Sequence, residues 1–137
     1  MDKFHESIFN INLDDISKNL DYLKSKLNKS TKIIAVIKAY CYGHGDIEIA
    51  KKLEDLNVYA FWVADFEEGV RLRKLGITKP IIIANPSPRS TNQIIKYKLD
   101  IVIYNFRLLE AFGKLNRKIK IHIKFNSGMN RFGFNEN

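Results

Sequence analysis

Residues 31–45 read TKIIAVIKAYCYGHG: an unbroken β-branched and apolar run, then a lysine, a cysteine between two tyrosines, and a histidine between two glycines. The run through Ile37 has the composition of a strand buried on both faces of a parallel sheet, where polar and apolar residues no longer alternate. Gly43 and Gly45 mark an abrupt turn after it. Strand alternation puts Val36 and Lys38 on one face, so if Val36 faces an interior, Lys38 does too. From position alone, a solvated surface lysine is the commoner outcome, and the rest of the chain has to decide.

Upstream, INLDDISKNLDYLKSKL (11–27) spaces Ile16, Leu20, Leu23 and Leu27 by four, three and four, the apolar stripe of a helix. Asn12 or Asp14 is its expected cap. Downstream, DIEIAKKLEDLN (46–57) returns to helical spacing through Ile47, Ala50, Leu53 and Leu56. The alternation then repeats: strand-like YAFWVA (59–64), helical FEEGVRLRKLG (66–76), strand-like PIIIAN (80–85) and helical STNQIIKYKLD (90–100). IVIYN (101–105), helical RLLEAFGKL (107–115) and a fifth strand KIKIHIKFN (118–126) complete it. Gly76, Pro80, Pro86, Pro88 and Gly113 punctuate the units. Five strands separated by helices predict an α/β parallel sheet with right-handed crossovers. With no low-complexity linker, the chain reads as one domain.

A doubly wound sheet and part of a β/α barrel both fit this order. A nucleotide-binding doubly wound fold usually carries GxGxxG after its first strand, whereas GHG follows Lys38 here. In a barrel, the C-terminal ends of the strands form the site, which would put Lys38 and the stretch SGMNRFG (127–133) at one mouth.

Composition narrows the function classes. The 137 residues are 45% hydrophobic and 28% charged, the balance of a soluble globular domain. The longest apolar run is far short of the roughly 20 residues needed to span a bilayer. MDKFHESIFN has charges where a signal peptide needs an apolar centre, so a cytoplasmic protein without membrane association is expected. One cysteine forms no internal disulfide. The net charge of +8 comes from lysines scattered along the whole chain, without a nucleic-acid-binding signature or a metal-ligand spacing, so neither nucleic acid nor metal is expected.

Two clusters carry chemistry-bearing side chains. A lysine held partly out of water loses its charge more readily and becomes a nucleophile suited to an aldehyde cofactor, the functional reading of Lys38. In KFNSGMNRFGF (124–134), Arg131 carries a planar fork suited to a carboxylate or phenolate. In the fifth strand Ile119, Ile121, Ile123 and Phe125 share one face, and Lys118, Lys120, His122 and Lys124 the other. In a barrel one of these faces must look inward, and an inward Lys124 needs a partner or a modification. Cys41 is read as a small residue filling the turn and His44 as ordering it by hydrogen bonds. Tyr42 by itself reads as a packed aromatic.

AVIKAYCYGHG resembles the cofactor-lysine motif of alanine racemases, usually Ala-Val-Val-Lys-Ala, then Asn or Asp, then Ala-Tyr-Gly-His-Gly. KFNSGMNRFGF is similar to their Lys-x-Asp-Thr-Gly-Met-x-Arg-x-Gly motif, and INLDDISKNLDYL to the family's opening segment. The two motifs stand in the family's order, and the resemblance covers essentially the whole chain. It implies a partial (β/α)8 TIM-like barrel with pyridoxal 5'-phosphate as cofactor. Lys38 is then the residue bonded to the cofactor and one of two catalytic bases. Tyr42 contacts the phosphate, and Arg131 the phenolic oxygen and the substrate carboxylate. Lys124 falls where many members carry an N-carboxylated lysine whose negative charge holds the arginine. The implied reaction is interconversion of L- and D-alanine for peptidoglycan synthesis by a homo-oligomer, a dimer in the family.

Tyr40 and Cys41 depart from the family's Asn or Asp and Ala, and Asn126 and Ser127 from its Asp and Thr; Asn126 removes a charge near Arg131. A whole barrel takes about 250 residues, and the family also has a β-rich C-terminal domain. Residues 1–137 are therefore expected to be the N-terminal part of the barrel domain, with the rest of the barrel and the β-rich domain absent. In the family the second base is a tyrosine from a partner's C-terminal domain. The 137-residue chain is accordingly expected to be inactive alone. The alternative is a truncated, non-catalytic cofactor-binding or assembly module.

Overall fold

The computed structural model describes residues 8–135. Helix α1 (Leu13–Ser25) leads into β1 (Ile34–Val36), followed by α2 (Ile47–Asp55), β2 (Ala60–Val63), α3 (Phe66–Lys74) and β3 (Ile81–Ile83). A short 3-10 turn precedes α4 (Thr91–Lys96), and β4 (Asp100–Ile103), α5 (Phe106–Gly113) and β5 (Ile121–Ile123) complete the order. The five strands form one sheet in the order β1-β2-β3-β4-β5, every neighbouring pair parallel. This is the α/β pattern of a partial barrel, each strand joined to the next through a helix.

The helix starts follow from side-chain oxygens that satisfy orphan N–H groups. Asn12 Oδ1 accepts from the Asp14 N–H at 3.0 Å, Asp65 caps α3 through Glu67 and Glu68, and Asn105 caps α5 through Leu108. The expected cap of α1 is thus Asn12.

Successive strand residues serve two layers. Phe61, Val63, Ile81, Ile83, Ile101 and Ile103 face the helices and form the main core with Leu20, Ala50, Leu72, Ile94, Leu108 and Phe112. Ala60, Ile82 and Val102 form a second, smaller cluster with Trp62 and Tyr104 on the other face, the interior of the curving sheet. Each fully buried Ile or Phe contributes about 1.5–3 kcal/mol, so the continuous apolar strands are explained by burial on both sides.

At the N-terminal ends of the strands, Arg73 ties loops together. Its Nη1 donates to the carbonyls of Ile77 at 2.6 Å and Lys79 at 2.7 Å, and its Nε to that of Tyr97 at 3.0 Å. Burial pushes its pKa down from the ordinary guanidinium value, against the pull of Asp100 and Glu54.

One expectation needs correction. The run at β1 reads as buried on both faces, yet Ile34 and Val36 are 40% and 44% exposed. β1 is an edge of the sheet, and its inward side chains face an interior bounded by only five strands. The opposite edge is similar: Ile121 and Ile123 of β5 are 46% and 57% exposed. Among the described residues no helix is long and apolar enough to cross a membrane.

Candidate functional site

Strand register sets out the site. Val36 pairs with Trp62, Trp62 with Ile82 and Ile82 with Asp100, and Val102, two residues beyond Asp100, pairs with His122. Since Ile82 and Val102 belong to the interior cluster, residues of this parity point inward. The next residues of this parity are Ala64, Ala84, Tyr104 and Lys124, and Lys38, just past the end of β1, lines the same concavity as Ala64, Ala84 and Lys124. The polar face of β5, with His122 and Lys124, is therefore the one that looks inward. Deeper in, His122 Nε2 lies 3.4 Å from Asp100 Oδ2.

Lys38, Lys124 and Arg131 line one concavity of about 200 Å³ at the C-terminal ends of the strands. Trp62 and Phe132 add aromatic surface, and Ala64 and Ala84 leave it room. The lining carries three cationic side chains and no carboxylate. Among the described residues no acid forms an ion pair with any of the three. A larger hollow of about 490 Å³, between Lys24, Lys29, Lys32 and Lys79, lies at the opposite ends of the strands and holds none of the sequence-predicted residues.

Arg131 reaches the concavity because the chain loops round after β5 and comes to lie parallel to it, Phe134 beside Phe125. The Lys124 N–H donates to the Ile103 carbonyl at 2.9 Å, the Phe134 N–H to that of Lys124 at 2.9 Å, and the Asn126 N–H to that of Phe134 at 2.8 Å. Asn126 knots the loop between. Its Oδ1 accepts from the N–H groups of Gly128 at 3.3 Å and Asn130 at 3.0 Å, and its Nδ2 donates to Asn130 Oδ1 and Asn135 Oδ1, each at 2.9 Å. An amide serves here as both acceptor and donor, whereas a carboxylate would only accept. This accounts for asparagine at a position where related motifs carry aspartate. Phe132 stacks on Tyr104 at 4.4 Å between centroids, and Tyr104 Oη lies 2.6 Å from Asn85 Oδ1. Burial pushes the Tyr104 pKa up, opposed by Arg107.

The turn after Lys38 has an unusual hand. Ala39, Tyr40, Cys41 and Tyr42 have φ of 51°, 54°, 54° and 56°, and Gly43 follows at 86°. The Cys41 N–H donates to the Ile37 carbonyl at 3.0 Å and the Gly43 N–H to that of Ala39 at 2.9 Å. These residues make one left-handed helical turn, which costs non-glycine residues about 1–2 kcal/mol each. Such strain persists where its surroundings hold it, and it clusters at functional sites.

Several contacts hold it. Glu68, at the start of α3, accepts the Ala39 N–H with Oε1 and the Ala64 N–H with Oε2, both at 2.7 Å. The Arg71 guanidinium covers the Tyr40 ring at 4.0 Å and pairs with the buried Asp46 carboxylate. His44 Nδ1 lies 2.9 Å from the Cys41 carbonyl oxygen, consistent with its expected ordering role. Cys41 is half-buried against the main core, and burial, then Asp46, pushes its pKa up.

In a barrel Lys38 and Arg131 are expected at one mouth, and the structure assembles them there together with Lys124, whose direction the sequence leaves open. Tyr42 stands beside them: it is 59% exposed and does not line the concavity, though Lys38 Nζ lies 5.9 Å from its ring centre. Trp62, Tyr104, Phe132 and Glu68 were not singled out. Inward parity could have found Trp62, paired with Val36, and Tyr104, two residues beyond Val102. Nothing local marks Glu68.

Comparison with known proteins agrees with this geometry. A family model described as "Alanine racemase, N-terminal domain" matches residues 11–137. An alanine racemase of Aquifex aeolicus is 43% identical over 130 residues, 93% of this chain and 37% of that protein. One from Lactobacillus acidophilus is 37% identical over 131 residues, 92% of this chain and 35% of that protein. An amino-acid racemase of Enterococcus faecalis is 36% identical over 90% of this chain, which spans 18% of its length. The solved structure of an alanine racemase from Clostridium difficile superposes with a TM-score of 0.83 at 37% identity, covering 92% of this chain and 34% of that one. The chain thus spans about a third of the length of most of these relatives and, by the match over residues 11–137, belongs to the alanine racemase family as its N-terminal domain.

Proposed function

We propose that residues 1–137 are the N-terminal part of the barrel domain of a pyridoxal-phosphate-dependent alanine racemase, with Lys38 as the residue that bonds the cofactor. The observation that carries this is the convergence of Lys38, Lys124 and Arg131 on one concavity that no carboxylate lines. That donor set suits an aldehyde bearing a phosphate and a phenolic oxygen: one amine to bond it, and cations to balance its negative charge. When bound, pyridoxal phosphate supplies an electron sink that makes the α-proton of an amino acid removable.

The chain's own residues then have distinct tasks. Lys38 Nζ would be the amine that holds the cofactor's aldehyde carbon and, as a free amine, would take or return a proton on one face of the substrate. The Arg131 fork binds the phenolic oxygen and the substrate carboxylate. The Tyr42 hydroxyl donates to the phosphate, a role that asks its exposed ring to settle against the ligand. N-carboxylation would turn Lys124 from a third cation into an anion that pairs with Arg131. The acid on the opposite face comes from outside these residues. By the same reading the whole enzyme is a cytoplasmic homodimer that serves peptidoglycan synthesis.

The exposed apolar row Ile121, Ile123 and Phe125 along the β5 edge favours a second reading, in which this chain binds the cofactor and assembles with further barrel strands without racemising alone. Chiral chromatography of alanine incubated with the purified 137-residue chain and pyridoxal phosphate separates the two. No interconversion by this chain, with interconversion by the full-length protein, is expected of an N-terminal part. Inactivity of both would leave the non-catalytic module, and turnover by residues 1–137 alone would contradict the need for a residue beyond them.

A further inference from the structure

Lys38 has to be placed by its backbone, because the strand has already ended at Val36 and the next residue enters the left-handed turn. In that conformation the Ala39 N–H has no place in the strand ladder. Ala39 is exposed, yet its N–H is taken up not by water but by a carboxylate from 29 residues away. Glu68 takes the Ala39 N–H on one oxygen and the Ala64 N–H on the other, each at 2.7 Å. One carboxylate thereby ties the residue after Lys38 to the residue just beyond β2, and Ala64 itself lines the concavity with Lys38. Charge-assisted bonds of this length are short and directional. Glu68 is in turn anchored by its own N–H, which donates to Asp65 Oδ1 at 3.2 Å, in the first turn of α3, where a negative charge is favoured.

We propose that Glu68 is a positioning residue: by bridging the Ala39 and Ala64 N–H groups it sets where the Lys38 backbone leaves β1, and so where its amine stands. Glu68 touches neither cofactor nor substrate in this account. The proposal rests on the reading of Lys38 as the cofactor-bonding residue. The geometry makes the bridge depend on length as well as charge. Glu68→Gln keeps the length but replaces one acceptor with an NH2 group that faces an N–H donor. Glu68→Asp keeps the charge but is one methylene too short to span both amides.

The test uses the full-length protein with Glu68→Gln, Glu68→Asp and the exposed neighbour Glu67→Gln as control. Hydrogen exchange without cofactor is followed in the segments containing Ala39 and Ala64. Apparent affinity for pyridoxal phosphate and the visible circular dichroism of the bound cofactor, which reports how rigidly its lysine is held, are then measured. Both Glu68 variants are expected to exchange at least about fivefold faster in those two segments and to lose at least about fivefold in cofactor affinity, with a reduced visible dichroism at saturation. Far-UV dichroism and Glu67→Gln should stay as in wild type. Exchange and affinity within twofold of wild type in both variants would overturn the proposal. So would global unfolding of both, which would assign Glu68 to stability alone. If wild type binds no pyridoxal phosphate, the cofactor reading fails, and the exchange arm, which needs no cofactor, still decides whether Glu68 fixes this backbone.

Discussion

The Arg71 guanidinium lies 4.0 Å from the centre of the Tyr40 ring while pairing with Asp46, so one side chain braces both the strained turn and a buried carboxylate. Asp46 is 3% exposed, and stripping its partner leaves a charge in a poor environment. Arg71→Ala should cost roughly 3 kcal/mol in chemical denaturation. Arg71→Lys, which keeps the charge but loses the planar stack, should cost about 1 kcal/mol. Adding Asp46→Asn to Arg71→Ala should recover part of the loss. Equal stability of Arg71→Ala and wild type would remove the brace from the account.

The left-handed turn makes an opposite prediction one residue after Lys38. Ala39 sits at φ 51°, where a Cβ costs about 1–2 kcal/mol and glycine is strain-free at an entropic cost of about 0.5–1 kcal/mol. Ala39→Gly should therefore stabilise the protein by about 0.5–1 kcal/mol in urea denaturation. A clear loss of stability would mean that the turn is not left-handed there.

Gly133 governs the loop that carries Arg131. Its φ is 139°, and an added Cβ would stand 2.4 Å from the Asn126 nitrogen and 2.6 Å from the Phe125 carbonyl carbon. Since backbone cannot yield as a flexible side chain does, Gly133→Ala should cost more than about 2 kcal/mol and pull Arg131 away from the concavity. Unchanged melting and cofactor affinity in this variant would contradict the close approach of Gly133 to Asn126.

Glu54 gives the acid dependence. It accepts from the Thr78 N–H at 2.7 Å, the Thr78 hydroxyl at 2.9 Å and the Lys79 N–H at 2.9 Å. Burial pushes its carboxyl up, but those bonds outweigh it and hold the pKa below the ordinary 4.5. A carboxyl with a lowered folded-state pKa contributes stability that is present above 4.5 and is lost as pH falls through the folded value. Glu54→Gln should cost roughly 1–2 kcal/mol at neutral pH, and its gap to wild type should narrow as pH falls below 4.5. A gap independent of pH would rule this carboxylate out.

How much of this was legible depends on range. The succession of five strands and helices and a cap at Asn12 or Asp14 follow from local spacing; the structure repeats the succession and selects Asn12. Whether Lys124 looks inward or into water turns on sheet closure, so the sequence alone left both open. The hand of the turn was not legible, because Ala39 to Tyr42 contains no glycine and its supports, Glu68 and Arg71, lie about thirty residues on. β1 read as fully buried because its composition suits a strand with neighbours on both sides, whereas here it is an edge. The aromatic wall was hidden for a related reason: Trp62 and Tyr104 sit in runs that look like ordinary core strand until register shows which face they occupy.

Everything proposed for this site requires that the Lys38 amine capture pyridoxal phosphate. The most direct test is to mix protein and cofactor, reduce with borohydride, digest and map the modified lysine by mass spectrometry. The label is expected on Lys38, and is expected to vanish in Lys38→Ala without transfer to Lys124. A label spread over surface lysines, or one that survives Lys38→Ala unchanged, would contradict it.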